Sequence, residues 1–175
     1  MHAVIGDLIA YREQLATRYS NPLFNVAFPT LNLGCIHGGD SPNRICGQTE
    51  LHFDVRMTPG ADNATVRGEI GERLAALGEG RGLEIDLHSL INDVAPFEQA
   101  ADSELVRLAE SLTGHSAGAV AFATEAPFLQ QLGMETIVMG PGSIDRAHQP
   151  DEYLELDQMR PCIKLLQQFI QHYCL

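Results

Sequence analysis

The first nineteen residues carry apolar side chains at steps of three and four. Their positions are Met1, Val4, Ile5, Leu8, Tyr11, Leu15 and Tyr19. A segment with this spacing has one apolar face when it coils with about 3.6 residues per turn, so the pattern predicts an amphipathic helix. No capping residue or loop precedes this helix, and we therefore expect the chain to be part of a longer protein.

The same period returns farther along the chain and predicts further helices. One of them has the apolar stripe Val66, Ile70, Leu74 and Leu77. Polar residues that accept hydrogen bonds from free N–H groups are expected to begin these helices, and glycines to end them. The predicted caps are Asp62, Asp102 and Thr124, the predicted glycine stops are Gly78, Gly114 and Gly133, and a last amphipathic helix is predicted over residues 157–173.

Strict alternation of apolar and polar residues marks the clearest strand, at residues 50–57. Leu51, Phe53, Val55 and Met57 share one face of this segment. Such alternation is typical of a strand with one buried face. Shorter strands are predicted within 25–36, where Pro29 interrupts the run, and at 83–87, 117–123 and 136–139.

The order of these elements predicts a chain of the α/β class with two domains. Residues 1–92 follow the order helix, strand, strand, helix, strand, which is a ferredoxin-like α+β layer without its first strand. Residues 93–175 alternate helices with short buried strands, which favours part of an α/β domain around a parallel sheet.

Charge and composition narrow the class of partner. The formal net charge is −12, and Lys and Arg form no cluster, so a nucleic-acid partner is not expected. No apolar run is long enough to span a membrane, and the N-terminal residues do not form a basic and apolar leader. We therefore expect a soluble, cytoplasmic protein with no membrane partner. The cysteines, Cys35, Cys46, Cys162 and Cys174, lack CxxC pairing and are predicted to be reduced and buried.

Two polar segments could hold a small molecule. Asn43 and Arg44 end a turn that begins at Gly38, and both side chains can donate hydrogen bonds to a carboxylate or an oxyanion. A turn alone also explains most of this composition. Thr124 and Glu125 follow a predicted strand, where α/β sheets bind ligands, although capping of the next helix explains both residues equally simply.

The third polar segment is the long loop 140–152, with one imidazole among carboxylates. His148 lies between Asp145 and Asp151 in this loop. An imidazole can ligate a metal while a carboxylate orients it, but a loop histidine is also often simply exposed. The other histidines have no HxH or HExxH spacing, so the sequence predicts no complete metal site within this chain.

Five motifs together resemble the M20 family of metallopeptidases and deacylases. They are PTLNLG at 29–34, IHGGDSPNRIC at 36–46, ELHFDVR at 50–56, TEAPF at 124–128 and GPGSIDRAHQPDEYL at 140–154. The resemblance covers nearly the whole chain. It implies that residues 1–92 are the dimerisation or lid domain and that residues 93–175 close the catalytic domain.

The resemblance also implies an activity, which is metal-dependent hydrolysis of the acetyl amide of N-acetyl-L-ornithine. One or two zinc ions, for which cobalt can substitute, would be bound in part by His148. The substrate-binding residues would be Asn43, Arg44 and Arg56 from the lid, and Thr124, Glu125, Gly142 and Ser143 around the pocket. The general base and most metal ligands would lie upstream, so this chain is expected to be inactive alone and to form a homodimer through the lid.

Two other interpretations remain open at this stage. One is a stand-alone dimerisation or small-molecule-binding module without catalysis. The other is a related M20 deacylase, such as one acting on succinyl-diaminopimelate, against which the TEAPF motif argues.

Overall fold

The computed structural model describes all 175 residues of the chain. The α-helices are α1 (His2–Arg18), α2 (Asn63–Glu79), α3 (Glu104–Thr113), α4 (Ala126–Gln131) and α5 (Leu156–Cys174). The strands are β1 (Thr30–Gly38) and β2 (Thr49–Arg56), and a short 3-10 helix spans Ile144–Arg146. Helices and an antiparallel sheet are thus combined, which confirms the mixed α/β class.

Two compact units divide the chain. The first contains Met1–Glu98 and Gly118–Phe128, and the second contains Gln99–Ala117 and Leu129–Leu175. The predicted domain boundary between residues 92 and 93 stays a prediction.

The core of the first unit lies between α1, α2 and the sheet. Its buried side chains are Leu8, Tyr11, Leu15, Leu31, Val66, Ile70 and Leu74. These are the residues of the two predicted helical stripes, joined by one residue of β1. The α2 helix begins where the sequence predicts, because the Asp62 carboxylate accepts hydrogen bonds from the Thr65 N–H at 2.8 Å and from its hydroxyl at 2.7 Å. The prediction of these two helices from their apolar periodicity is therefore confirmed.

The two strands form an antiparallel hairpin with one irregularity. Leu33 pairs with Phe53, whereas Cys35 pairs with the next residue, His52, so Gly34 is an extra residue in β1. Leu31, Leu33, Phe53 and Val55 lie on the face that packs on the helical core. The bulge keeps Ile36 opposite Leu51 and places Cys35 and His37 on the polar face with His52 and Glu50.

Three predicted strands, at 83–87, 117–123 and 136–139, do not form. The β1–β2 hairpin is the only ladder in the structure. An alternating or apolar segment becomes a strand only when a neighbour accepts and donates its backbone hydrogen bonds. Ile85 still packs against the first core without such a partner. The predicted strand at 83–87, which was the fifth element expected in residues 1–92, is therefore wrong for this chain. The predicted parallel sheet in 93–175 is wrong as well.

The second unit contains α3 and α5. Ser103, and not the predicted Asp102, caps α3, because the Ser103 hydroxyl accepts the Val106 N–H at 3.3 Å. Gly114 ends this helix with φ of 72°, a left-handed conformation that glycine adopts without steric cost. The α5 helix has no buried residue. Its exposed apolar stripe is Leu156, Met159, Ile163, Leu166, Ile170 and Tyr173.

All four cysteines are free, as predicted. Their predicted burial is wrong, because Cys46 and Cys174 are exposed while Cys35 and Cys162 are half-buried. None of the helices is long and apolar enough to cross a lipid bilayer.

Candidate functional site

The hairpin turn after β1 holds the first two predicted substrate-binding residues, and both are exposed. The Arg44 guanidinium donates to the Asp40 carboxylate at 2.6 Å, with both side chains about two-thirds exposed at 67% and 64%. The Ser41 hydroxyl donates to Oδ1 of Asn43 at 2.5 Å. The turn is therefore organised by its own side chains. The Asn43 amide N–H₂ and the other Arg44 N–H groups remain as donors for a ligand.

Arg56 lies at the other end of the hairpin. It pairs with Thr30 at one end of the ladder, whereas Thr49 pairs with Gly38 at the end next to the turn. At about 3.3 Å per residue, the length of β2 separates Arg56 from the turn by roughly 20 Å. Its Nε donates to Asp54 on the same strand at 2.8 Å. The structure does not bring Arg56 together with Asn43 and Arg44.

Thr124 and Glu125 lie in the segment just before α4. The Thr124 hydroxyl accepts the Ala126 N–H at 3.1 Å, which is the capping role that the sequence left open. Glu125 is exposed, and its carboxylate has no hydrogen bond or ion pair. A free carboxylate at the start of a helix is favoured by the positive end of the helix dipole and can attract a cation.

The loop between residues 140 and 155 is held by side chains at its beginning. The Gly142 N–H donates to Oε1 of Gln158 at 2.6 Å, and φ at Gly142 is 99°, a conformation that suits glycine. The Ser143 hydroxyl accepts the Asp145 N–H at 3.3 Å and begins the short 3-10 helix. Gly142 and Ser143 are both exposed.

His148 lies in the second half of this loop, in a left-handed backbone conformation. Its φ is 60°, and its N–H donates to Oε2 of Glu152 at 3.0 Å. The imidazole is exposed and makes no hydrogen bond, so the ring nitrogen that carries no proton can accept a hydrogen bond or ligate a metal. The guanidinium of Arg146 lies over the Tyr153 ring at 5.0 Å and holds the flanks of the loop together.

Zinc needs about four ligands, and this chain does not provide them at one place. No group of three or more His, Cys, Asp and Glu side chains lies close enough to hold a metal ion. The free imidazole of His148 fits the role of one zinc ligand. A complete site would need ligands from outside these residues.

Sequence reasoning missed the polar face of the hairpin. Nε2 of His37 lies 2.9 Å from Sγ of Cys35, and Nε2 of His52 lies 2.8 Å from the Glu50 carboxylate. The two imidazole rings meet edge to face with centroids 6.0 Å apart. The hydrogen bond with His52 lowers the pKa of Glu50. The alternation in β2 predicts that His52 and Glu50 share one face of the strand. The bulge at Gly34 brings Cys35 and His37 to the same face, and this bulge has no clear signal in the sequence.

Glu152 and Gln158 were missed as well. Each accepts a backbone N–H from the loop that carries the predicted pocket and metal residues. Glu152 follows His148 by four residues, a spacing that would have been a usable signal.

Five of the eight predicted site residues lie in the first unit and three in the second. The first five are Asn43, Arg44, Arg56, Thr124 and Glu125, and the other three are Gly142, Ser143 and His148. Asn43 with Arg44, Thr124 with Glu125, and Gly142 with Ser143 are sequence neighbours.

Comparison with known proteins identifies relatives over the whole chain. Residues 2–81 match the peptidase dimerisation domain family. The acetylornithine deacetylase of Pectobacterium atrosepticum is 41% identical over 174 residues, which are 99% of this chain and 45% of that protein. The acetylornithine deacetylases of Klebsiella pneumoniae and Salmonella heidelberg are 43% and 44% identical, with the same shares covered.

The chain thus spans 45% of the length of these curated relatives. The part it matches includes every motif on which the resemblance to the M20 family rests. Residues 2–81 are therefore similar to the peptidase dimerisation domain family, and the chain as a whole is similar to part of the acetylornithine deacetylases.

Proposed function

We propose that this chain supplies the dimerisation domain, at residues 1–92, and the closing part of the catalytic domain, at residues 93–175, of a metal-dependent amidohydrolase. The reaction is hydrolysis of the acetyl amide of N-acetyl-L-ornithine to ornithine and acetate, a step of arginine biosynthesis in the cytoplasm. The observation that carries the proposal is the match of 99% of the chain to acetylornithine deacetylases at 41% to 44% identity.

In this proposal the hairpin contributes donors for the substrate. Asn43 and Arg44 are exposed on the turn, and the guanidinium of Arg44 keeps donors beyond those that face Asp40. Both can bind the α-carboxylate of the substrate or a developing oxyanion. Arg56 is the third proposed substrate contact from the lid, and it lies at the end of the ladder away from the turn.

The pocket residues contribute selectivity. The free carboxylate of Glu125 attracts the δ-ammonium group that distinguishes N-acetyl-L-ornithine from acetylated apolar amino acids. Thr124 lines the pocket, and its hydroxyl, which accepts the Ala126 N–H, keeps its own O–H as a donor for the substrate. Gly142 and Ser143 allow the substrate to approach the backbone closely, since Gly142 has no side chain and Ser143 is small.

His148 contributes one ligand to one or two zinc ions, for which cobalt can substitute. Zinc supplies Lewis-acid polarisation of the amide carbonyl when it is bound. The remaining ligands and the general base belong to the part of the relatives' length that this chain does not span. The 175-residue chain is therefore inactive alone.

A homodimer formed through residues 2–81 completes the proposal, since this segment matches a dimerisation domain family. The formal charge of −12 favours small cationic ligands over nucleic acid. A stand-alone dimerisation module is the second candidate, and the separate buried core of α1, α2 and β1 favours it.

A chimera tests the substrate. Residues 1–175 replace the matched part of the Klebsiella pneumoniae acetylornithine deacetylase, and kcat/KM is measured with zinc for three compounds. These are N-acetyl-L-ornithine, N-acetyl-L-norvaline, which lacks the δ-ammonium group, and N-succinyl-diaminopimelate. The proposal predicts a preference for N-acetyl-L-ornithine, whereas a preference for the succinyl compound would establish the related deacylase instead.

Glu125→Gln in the same chimera tests the selectivity. Removal of the carboxylate is expected to reduce the preference for N-acetyl-L-ornithine over N-acetyl-L-norvaline about tenfold, the size of one charge-assisted hydrogen bond. Glu155→Gln is the matched control, because Glu155 is exposed and makes no side-chain capping hydrogen bond. Equal effects of the two substitutions would contradict the role of Glu125.

A further inference from the structure

His148 occupies a backbone conformation that it would not keep by itself. Its φ of 60° lies in the left-handed region, as does that of Asp151 three residues later. A side chain with a Cβ is disfavoured there, so a residue other than glycine needs neighbouring contacts that hold it in place. The structure should therefore contain a group that holds the backbone at His148.

Glu152 is that group. Its carboxylate accepts the His148 N–H at 3.0 Å, and its own N–H donates to the Gln149 carbonyl at 3.2 Å. The segment from His148 to Glu152 is thus closed by a side chain at one end and by a backbone hydrogen bond at the other. A carboxylate acceptor makes a stronger bond to an N–H group than a neutral acceptor does.

The hydrogen bond between Glu152 and the His148 N–H does not involve the imidazole ring. Glu152 binds the backbone of His148, and neither ring nitrogen makes a hydrogen bond. The carboxylate can therefore fix the direction in which the ring leaves the loop without competing for its nitrogen atoms. A histidine that donates its second ring N–H to a carboxylate is oriented differently, through the ring itself.

We propose that Glu152 is a positioning residue, which acts through the backbone N–H of His148 to direct the imidazole. The structural part of this inference stands on the loop alone. Its consequence for metal binding rests on the proposed function, in which His148 ligates zinc. Glu152 itself touches neither zinc nor substrate.

Amide hydrogen exchange of the 175-residue chain, resolved by NMR at His148, tests the structural part. Glu152→Ala is expected to accelerate exchange at His148 about tenfold, because a hydrogen bond to a charged acceptor is lost. Glu152→Gln keeps an acceptor oxygen and is expected to accelerate it only about threefold. Glu155→Ala, which removes the same charge from the same loop, should leave the rate unchanged.

Equal exchange rates in Glu152→Ala and Glu155→Ala would overturn the proposal. Far-UV circular dichroism of each variant checks that the helices are retained. Should Glu152→Ala lose them, the comparison of Glu152→Gln with Glu155→Gln decides the question in the same way.

Zinc affinity of the chimera tests the consequence, by competition with a chromophoric chelator and without any assay of turnover. Glu152→Ala is expected to weaken zinc binding about tenfold, the lower end of what supporting residues contribute. Glu155→Ala should bind zinc as the unsubstituted chimera does. Equal zinc affinities in these two variants would overturn the positioning role, whereas an unsubstituted chimera without zinc affinity would overturn the proposed function and leave the exchange result standing.

Discussion

Arg18 at the end of α1 binds the carboxylate of Glu69 on α2 through two guanidinium N–H groups, at 2.9 and 2.6 Å. The phenol of Tyr11 donates to the same carboxylate at 2.5 Å. Three donors on α1 thus converge on one acceptor on α2. This polar contact lies at the edge of the apolar core that the same two helices form.

Removal of Arg18 should weaken the first unit measurably. Arg18→Ala is expected to lower the free energy of unfolding by about 1 kcal/mol, because the pair is bidentate but only partly buried. The side chains are 44% and 30% exposed. Arg12→Ala is the matched control on the same helix, since Arg12 contacts only its exposed neighbour Glu13. Urea unfolding that gives equal losses for both variants would contradict this account.

Acid should remove the same contribution. Hydrogen bonds from Arg18 and Tyr11 hold the pKa of Glu69 below its ordinary value of 4.5. A carboxylate whose pKa is lower in the folded than in the unfolded state stabilises the fold above the unfolded value. The stabilisation is therefore complete above about pH 4.5 and is lost as the pH falls through the lowered folded value.

Glu69→Gln should flatten this acid limb of the stability curve, measured by urea unfolding between neutral pH and pH 3. Glu72→Gln is the control, because Glu72 is exposed on the same helix and makes no hydrogen bond. A limb that stays as steep in Glu69→Gln as in Glu72→Gln would assign the acid sensitivity to other carboxylates.

The N-cap of α3 is Ser103 in the structure, whereas the sequence predicted Asp102. Ser103→Ala is expected to cost about 1 kcal/mol, because the Val106 N–H loses its acceptor. Asp102→Ala should be close to neutral, although the sequence favoured Asp102 as the cap. Thermal unfolding of the two variants measures the difference, and the reverse order would restore the original prediction.

The apolar stripe of α5 should make the chain associate. Ile163 and Ile170 are 52% and 53% exposed on this stripe. Exposed apolar surface of this extent drives association in water. The double substitution Ile163→Gln and Ile170→Gln is expected to shift sedimentation toward smaller species, whereas Gln168→Ala, about 140° around the helix from Ile163, should not. If the chain associates equally well with Ile163→Gln and Ile170→Gln, the surface through which it associates lies outside this stripe.

Local sequence patterns predicted the parts of the fold that depend on local physics. The stripes of α1 and α2 and the alternation of β2 are periodicities, and the structure confirms all three. The segment 83–87 alternates as well, yet it forms no strand, because a ladder depends on a partner that its own residues do not specify.

In the candidate site, too, the features that depend on more than local sequence were not predicted. The resemblance named Arg56 and Asn43 together, but Arg56 lies at the end of β2 away from the turn that carries Asn43. The Thr124 hydroxyl accepts the Ala126 N–H at the start of α4, and its role in substrate binding stays a prediction. The support of His148 by Glu152 required the backbone conformation, which the residue types alone do not give.

We propose that this chain contributes to a deacetylase site that it cannot complete by itself. The most direct measurement is the turnover of N-acetyl-L-ornithine, with added zinc or cobalt, by the purified 175-residue chain and by the Klebsiella chimera at equal concentrations. We predict turnover by the chimera, loss of that turnover with His148→Ala, and none by the 175-residue chain. Turnover by the 175-residue chain itself would contradict the claim, because it would require a complete site among residues that show none.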